Sequence, residues 1–208
     1  MKRIIVMISL LVQVVMAGAA LAAPMNLDFG GIAVGQDVTV PNPPVTLNGV
    51  TISYDDFSSG VDFAIVDSAG ILGTTAGALL FDFSIPATAL NVNFSLLDAV
   101  LADPQGTQLA DALTILFFSG GNFLNFASVA ADFFAYDPAI DPTFGFATGA
   151  LAYSGPVFDQ AQMFFSLDAP IFTVDNVSYQ PVPEPSTLVL LVFGLVGLGG
   201  WRLYGRKC

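Results

Sequence analysis

Between Ala23 and Val182 the chain contains no lysine, arginine or histidine, yet it places sixteen aspartates there. No ion pair can form within such a span. Every carboxylate must be solvated, hydrogen-bonded or held by a metal ion. The side chains of the span carry a formal charge of −16, which repels itself in any compact state and favours solubility. Apolar packing and backbone hydrogen bonds must therefore carry the fold. Nucleic acid is excluded as a partner, because phosphate contacts need cations. The seventeenth acid is Glu184, and the five basic residues are Lys2, Arg3, Arg202, Arg206 and Lys207, all near the termini. Cys208 is the only cysteine, so no disulfide framework exists. A domain of this size can bury a sufficient core without one.

The span reads as short strands with period-two alternation, punctuated by Gly, Pro, Asn and Asp. Leu90, Val92, Phe94 and Leu96 alternate with Asn91, Asn93 and Ser95, and Val61, Phe63 and Ile65 alternate with Asp62 and Ala64. Further strands are expected over 49–57, 78–85, 113–119, 125–133, 144–153, 162–167 and 172–179. Only Gln105 to Ala112 reads as helical, for one or two turns. About nine strands at this spacing predict an all-β fold, an antiparallel β-sandwich. Eighteen of the nineteen phenylalanines lie in this span and are expected to fill the space between the sheets. The pair Phe133-Phe134 is the candidate exposed platform.

The ends read as targeting segments. Met1-Lys2-Arg3 is a basic start, Ile4 to Val15 an apolar run, and Ala20-Leu21-Ala22 a small-residue cleavage motif, so residues 1–22 are expected to be a secretory signal peptide cut after Ala22. At the other end, Val182-Pro183-Glu184-Pro185-Ser186-Thr187 precedes an apolar run from Leu188 to Tyr204. As a helix this run would span roughly 25 Å, a little short of a hydrocarbon core. Arg202, Arg206 and Lys207 would hold its end in the cytoplasm as a single transmembrane helix, leaving the domain outside. The prolines deny helix formation before Thr187 and keep the motif extended, as a membrane protease would require. The expected organisation is a signal peptide over 1–22, a sandwich ectodomain over 23–181 and a tail over 182–208.

Pro183-Glu184-Pro185, the Leu/Gly-rich run and the basic end, in that order, resemble the PEP-CTERM sorting signal of Gram-negative bacteria. The resemblance implies recognition by exosortase, a membrane transpeptidase, removal of the tail, and delivery to the cell surface or extracellular matrix alongside exopolysaccharide, in biofilm. The segments Asn26 to Gly30, Asn48 to Ile52 and Phe172 to Tyr179 resemble the first and last strands of the ectodomain common ahead of such tails. That likeness implies a jelly-roll similar to carbohydrate-binding modules. It also implies a structural calcium shared by an acid of the first strand and an aspartate of the last, here Asp28 and Asp175. Calcium is the one cofactor implied. Asp55, Asp56, Asp132, Asp137 and Asp141 are further oxygen donors by hardness alone.

The chemistry excluded is broad. Without His or Lys, and with its one cysteine at the extreme end, the span can build neither a Ser-His-Asp triad nor a zinc site on His or Cys. The expectation is a protein that is not an enzyme: an exported surface or matrix protein, with a lectin-like carbohydrate-binding module as the alternative. An Asp-based glycoside hydrolase, needing two carboxylates, ranks behind both.

Overall fold

The computed structural model describes residues 22–57, 62–67, 70–103 and 106–182. Ten strands follow in order: β1 (Met25–Asn26), β2 (Val45–Leu47), β3 (Val50–Asp55), β4 (Ala64–Val66), β5 (Gly70–Thr74), β6 (Ala78–Val100), β7 (Gln108–Ser119), β8 (Asn122–Asp137), β9 (Asp141–Phe165) and β10 (Ile171–Pro181). All paired strands run antiparallel, and one turn of 3-10 helix, Phe29–Gly31, is the only helix among the described residues. The fold is all-β, as the alternation predicts. Pro24–Pro181 form one compact unit containing the whole described core. Ala20, Pro183, Glu184, Pro185, Arg202, Arg206 and Lys207 lie outside the described residues, as does the expected transmembrane run. Ala22 is described and half-buried.

Two long strands make the architecture. The first part of β6 pairs with β3 on one side and with the end of β9 on the other, while its second part pairs with β10 and with the start of β9. Strand β9 divides in the same way: Gln160 to Phe165 pair with β7, and Gly145 to Thr148 pair with β8. Each strand therefore passes from one layer to the other, and the bend falls where the β6–β9 register shifts, between Asp82↔Gln160 and Ala89↔Ser154. Pro86 and Pro156 sit at this break, where the missing N–H costs no ladder bond. Read along the sequence, those prolines divide β6 and β9 into four strands. In three dimensions they are bends inside two, because a register break accommodates them.

The helical expectation for Gln105 to Ala112 is overturned. From Gln108 onward this segment is the start of β7. The β7–β8 register jumps from Leu109↔Ala131 to Leu113↔Val129, with Asp111 at φ 46°. This bulge buries Leu109, Ala112 and Leu113, a spacing that imitates a helical face.

The layers close on an aromatic core. Phe165 of β9 stacks on Phe172 of β10 at 4.0 Å, Phe117 of β7 on Tyr153 of β9 at 3.8 Å, and Phe83 of β6 meets Tyr179 of β10 edge-on at 5.1 Å. Phe29, Phe81, Phe83, Phe94, Phe117, Phe158, Phe165 and Phe172 are buried. The other described phenylalanines are half-buried or exposed, so the expectation that the rings fill the space between the layers holds for these eight only.

Candidate functional site

The rings left outside the core gather where two-residue periodicity puts them, on the outer faces of the layers. One outer face can be written row by row from the ladder. Thr51, Asp82, Gln160, Phe118 and Phe123 lie side by side across β3, β6, β9, β7 and β8. The next row is Ser53, Leu80, Gln162, Leu116 and Phe126. One step further along β9 lies Phe164, opposite Thr114. The flanking Phe81, Ala161, Met163, Ile115 and Phe117 point inward and are buried, which holds the outward set in place.

Polar groups run through the middle of this face. Gln160 Nε2 donates to Asp82 Oδ1 at 2.6 Å, and Gln162 Nε2 donates to Gln160 Oε1 at 3.2 Å. The chain of bonds orients both carboxamides. It also leaves acceptor capacity on Asp82 and donor and acceptor capacity on the glutamines. Rings border it on both sides. Phe118 is half-buried and meets Phe123 edge-on at 5.9 Å, and Phe164 stacks on exposed Phe57 at 6.1 Å and 18°. A polar ladder between apolar rings can bind a flat, hydroxyl-rich, uncharged molecule, with hydroxyls on the amides and carboxylate and a C–H face on a ring.

A second group of rings lies on the outer face of the other layer. Phe134 stacks on Phe146 at 5.3 Å, and Tyr136 meets Phe144 edge-on at 5.3 Å. Its polar contact is a long one, Tyr136 Oη to Asp98 Oδ1 at 3.3 Å. The expected pair Phe133-Phe134 is not a pair on the surface. Successive strand residues face opposite ways, so Phe133 packs against the core while Phe134 is exposed.

Of the aspartates singled out by hardness, Asp137 and Asp141 accept from groups two residues on, and Asp132 accepts across the β7–β8 ladder. Asp132 Oδ1 accepts from Gln108 at 3.0 Å, and Asp137 Oδ1 from the Ala139 N–H at 3.0 Å. Asp141 Oδ1 accepts from the Thr143 hydroxyl at 2.7 Å and N–H at 2.8 Å. The Thr143 hydroxyl, and after it the N–H, hold the Asp141 carboxyl below the ordinary carboxylate range. Asp55 ends β3 on the exposed surface. Asp28 caps the 3-10 turn, accepting from the Gly30 N–H at 3.0 Å, and Asp175 accepts from Asn176 Nδ2 at 3.3 Å. The β1–β10 pairing, extended by the Leu27 N–H to Val177 carbonyl bond, runs Asp28 toward Asn176, where β10 kinks at φ 46°. The backbone register thus carries Asp28 toward the stretch of β10 that holds Asp175. No group of three His, Cys, Asp or Glu gathers there, or elsewhere among the described residues. Calcium takes six to eight oxygens, so backbone carbonyls and water would supply most of its shell.

Residues 181–207 match the PEP-CTERM protein-sorting motif, which marks the chain as an exported protein sorted to the cell surface. No curated protein matches the sequence. Among solved structures, a variant of the family 29 carbohydrate-binding module CBM29-2 aligns at 10% identity and a TM-score of 0.37, over 76% of this chain and 92% of that one. The CBM22-1–GH10 segment of the Clostridium thermocellum xylanase 10B, solved with xylohexaose, aligns at 9% identity and a TM-score of 0.37. It covers 76% of this chain and 28% of that one.

Proposed function

We propose that this chain is a non-catalytic surface protein whose sandwich binds a polysaccharide along the outer face of β6, β9 and β7. The observation that carries the proposal is the ladder from Asp82 through Gln160 to Gln162, bordered by Phe118 and Phe164. Binding rather than turnover fits the electrostatics. Glycoside hydrolysis needs two carboxylates astride one bond. Here Asp82 is the single carboxylate of the ladder, and it is bonded to a glutamine. In this reading an exosortase removes the tail, and the mature protein stays at the surface or in the matrix with exopolysaccharide. Mass spectrometry of surface material should then find a carboxy terminus near Pro185, whereas intact Cys208 on that material would refute the processing step.

The binding test is a glycan array followed by titration with the polysaccharides retained. Gln160→Ala and Gln162→Ala should each weaken binding about tenfold, the worth of roughly 1.4 kcal/mol of hydrogen bonding. Both variants should keep the native melting midpoint, since both side chains lie on the outer face. Unchanged affinity in the double variant removes the ladder from the site. Cleavage of a retained polysaccharide would favour the hydrolase reading instead.

A further inference from the structure

Strand β8 contains a long stretch of backbone with a neighbour on one side only. Strand β8 pairs with β7 along its length from Asn122 to Asp132, but β9 joins β8 only from Asp132 onward. Among the described residues, Asn122 to Ala131 therefore forms an open sheet edge. The stretch reads Asn-Phe-Leu-Asn-Phe-Ala-Ser-Val-Ala-Ala, with no charge and no proline. Phe123, Leu124 and Phe126 on it are exposed, Phe126 at 59%.

Among the described residues β9 has a second one-sided stretch, Gly149 to Asp159, which pairs with β6 only, but Pro156 interrupts it and Asp159 ends it. The shorter edges are protected in other ways. Three-residue β4 is covered by the loop before it: the Val38 N–H bonds Ala64 O, the Val66 N–H bonds Gln36 O, and Asp37 bridges to Ile65. Three-residue β2 follows Pro41, Pro43 and Pro44, and β1 has two residues. Short strands, prolines and covering loops are the usual protections of an edge, and charge is another. In a domain with sixteen aspartates, the β8 edge lacks all of them, and it lacks proline as well.

We propose that this edge pairs with the same edge of a second copy, antiparallel about a two-fold axis, joining two sandwiches through one continuous sheet. Charge selects this occupant. Each copy carries −16 and no cation between Ala23 and Val182, so copies repel wherever aspartates meet. Along Asn122–Ala131 two identical edges can approach with no like charges on the paired strands and without a proline such as the one that interrupts the β9 edge. An axis through Phe126 places it against the partner's Phe126, and Phe123 against the partner's Val129, aromatic and β-branched pairs of the kind that stabilise sheets. The inference stands independently of the glycan reading, because it uses the strand's backbone edge and not the Asp82–Gln162 ladder.

The test uses residues 23–182, whose core lies within Pro24–Pro181. Sedimentation should give a monomer–dimer equilibrium with Kd in the micromolar range, tightening as salt screens the repulsion. Phe126→Asp places like charges face to face at the axis and should weaken the dimer at least tenfold. Phe134→Asp, on the exposed rings of the other layer, should leave the dimer unchanged. Hydrogen exchange on the unmodified domain provides a readout free of variant folding: amides within 122–130 should gain protection as concentration rises. A monomer at millimolar concentration overturns the proposal. So does a dimer that Phe134→Asp weakens and Phe126→Asp does not, or exchange in 122–130 that ignores concentration.

Discussion

Tyr54 and Tyr153 are both buried, and their hydroxyls have opposite fates. Tyr54 Oη donates to the Thr74 carbonyl at 2.8 Å, and Gly77 leaves room for it, since a Cβ there would lie 2.5 Å from that oxygen. Tyr153 Oη is buried with no hydrogen-bond partner. The same substitution should therefore act in opposite directions. Tyr54→Phe orphans a carbonyl and should cost about 1–2 kcal/mol in urea titration, while Tyr153→Phe removes an unsatisfied group and should be neutral or stabilising by up to about 1 kcal/mol. Burial, more than any other cause, pushes the Tyr54 pKa up. A folded pKa above the unfolded value means stability that is full below about pH 10 and is lost as pH rises through the folded pKa. The alkaline decline should accordingly be shallower in Tyr54→Phe. Asp141 has the opposite sign. Its lowered pKa contributes stability above the unfolded carboxylate value, and that contribution is lost as pH falls through the folded one.

At the level of elements, the β7–β8 hairpin shows how a turn positions a surface. Gly120 and Gly121 join the strands at φ 55° and 77°, the two left-handed residues of a type I′ turn, and the Gly120 N–H bonds Asp159 Oδ2 at 2.8 Å. A Cβ at either glycine would meet nothing within 4 Å, so substitution there tests backbone conformation alone. Gly121→Val should cost roughly 1–2 kcal/mol, and Gly120→Asn, a residue that accepts this conformation, should be nearly neutral by thermal melt. The turn sets the β7–β8 register that brings Phe118 beside Phe123. Gly145 acts differently: its φ is unremarkable, but a Cβ there would lie 2.0 Å from the Phe134 carbonyl, so only glycine lets β9 approach β8.

Over the whole molecule, charge without counter-charge sets the response to ions. Repulsion among sixteen aspartates should make the melting midpoint of residues 23–182 rise with sodium chloride from low ionic strength to about 0.15 M, where the screening length is about 8 Å. Calcium at Asp28 and Asp175 remains a separate proposal, supported by the β1–β10 register, which carries Asp28 toward the stretch of β10 that holds Asp175. Calcium should raise the midpoint beyond sodium chloride of equal ionic strength, the added stability being about 2.7 kcal/mol at a hundredfold excess over Kd. That excess should vanish with chelator and in Asp175→Asn. An increment equal to that of sodium chloride, or one that survives Asp175→Asn, would place calcium's action on the general field and not on these two residues.

Alternation and composition, both local properties, were enough to read the all-β class, most of the strands and the lack of any cation for the aspartates to pair with between Ala23 and Val182. The order of Pro183-Glu184-Pro185, an apolar run and a basic end was enough for the sorting motif. Three features needed the tertiary structure. Pro86 and Pro156 look like strand ends until the β6–β9 register shows a bend that spares their missing N–H. Leu109, Ala112 and Leu113 look helical until β8 shows the bulge. The ladder was missed altogether. Gln160 and Gln162, alternating with Ala161 and Met163, signal one polar face of a strand, but Asp82 and Phe118 lie far from them in the chain. Period two tells which residues share a face. Which face is covered, and what stands beside it, depends on strands paired across long sequence separations, and the same rule buried eight phenylalanines and left the other described ones half-buried or exposed.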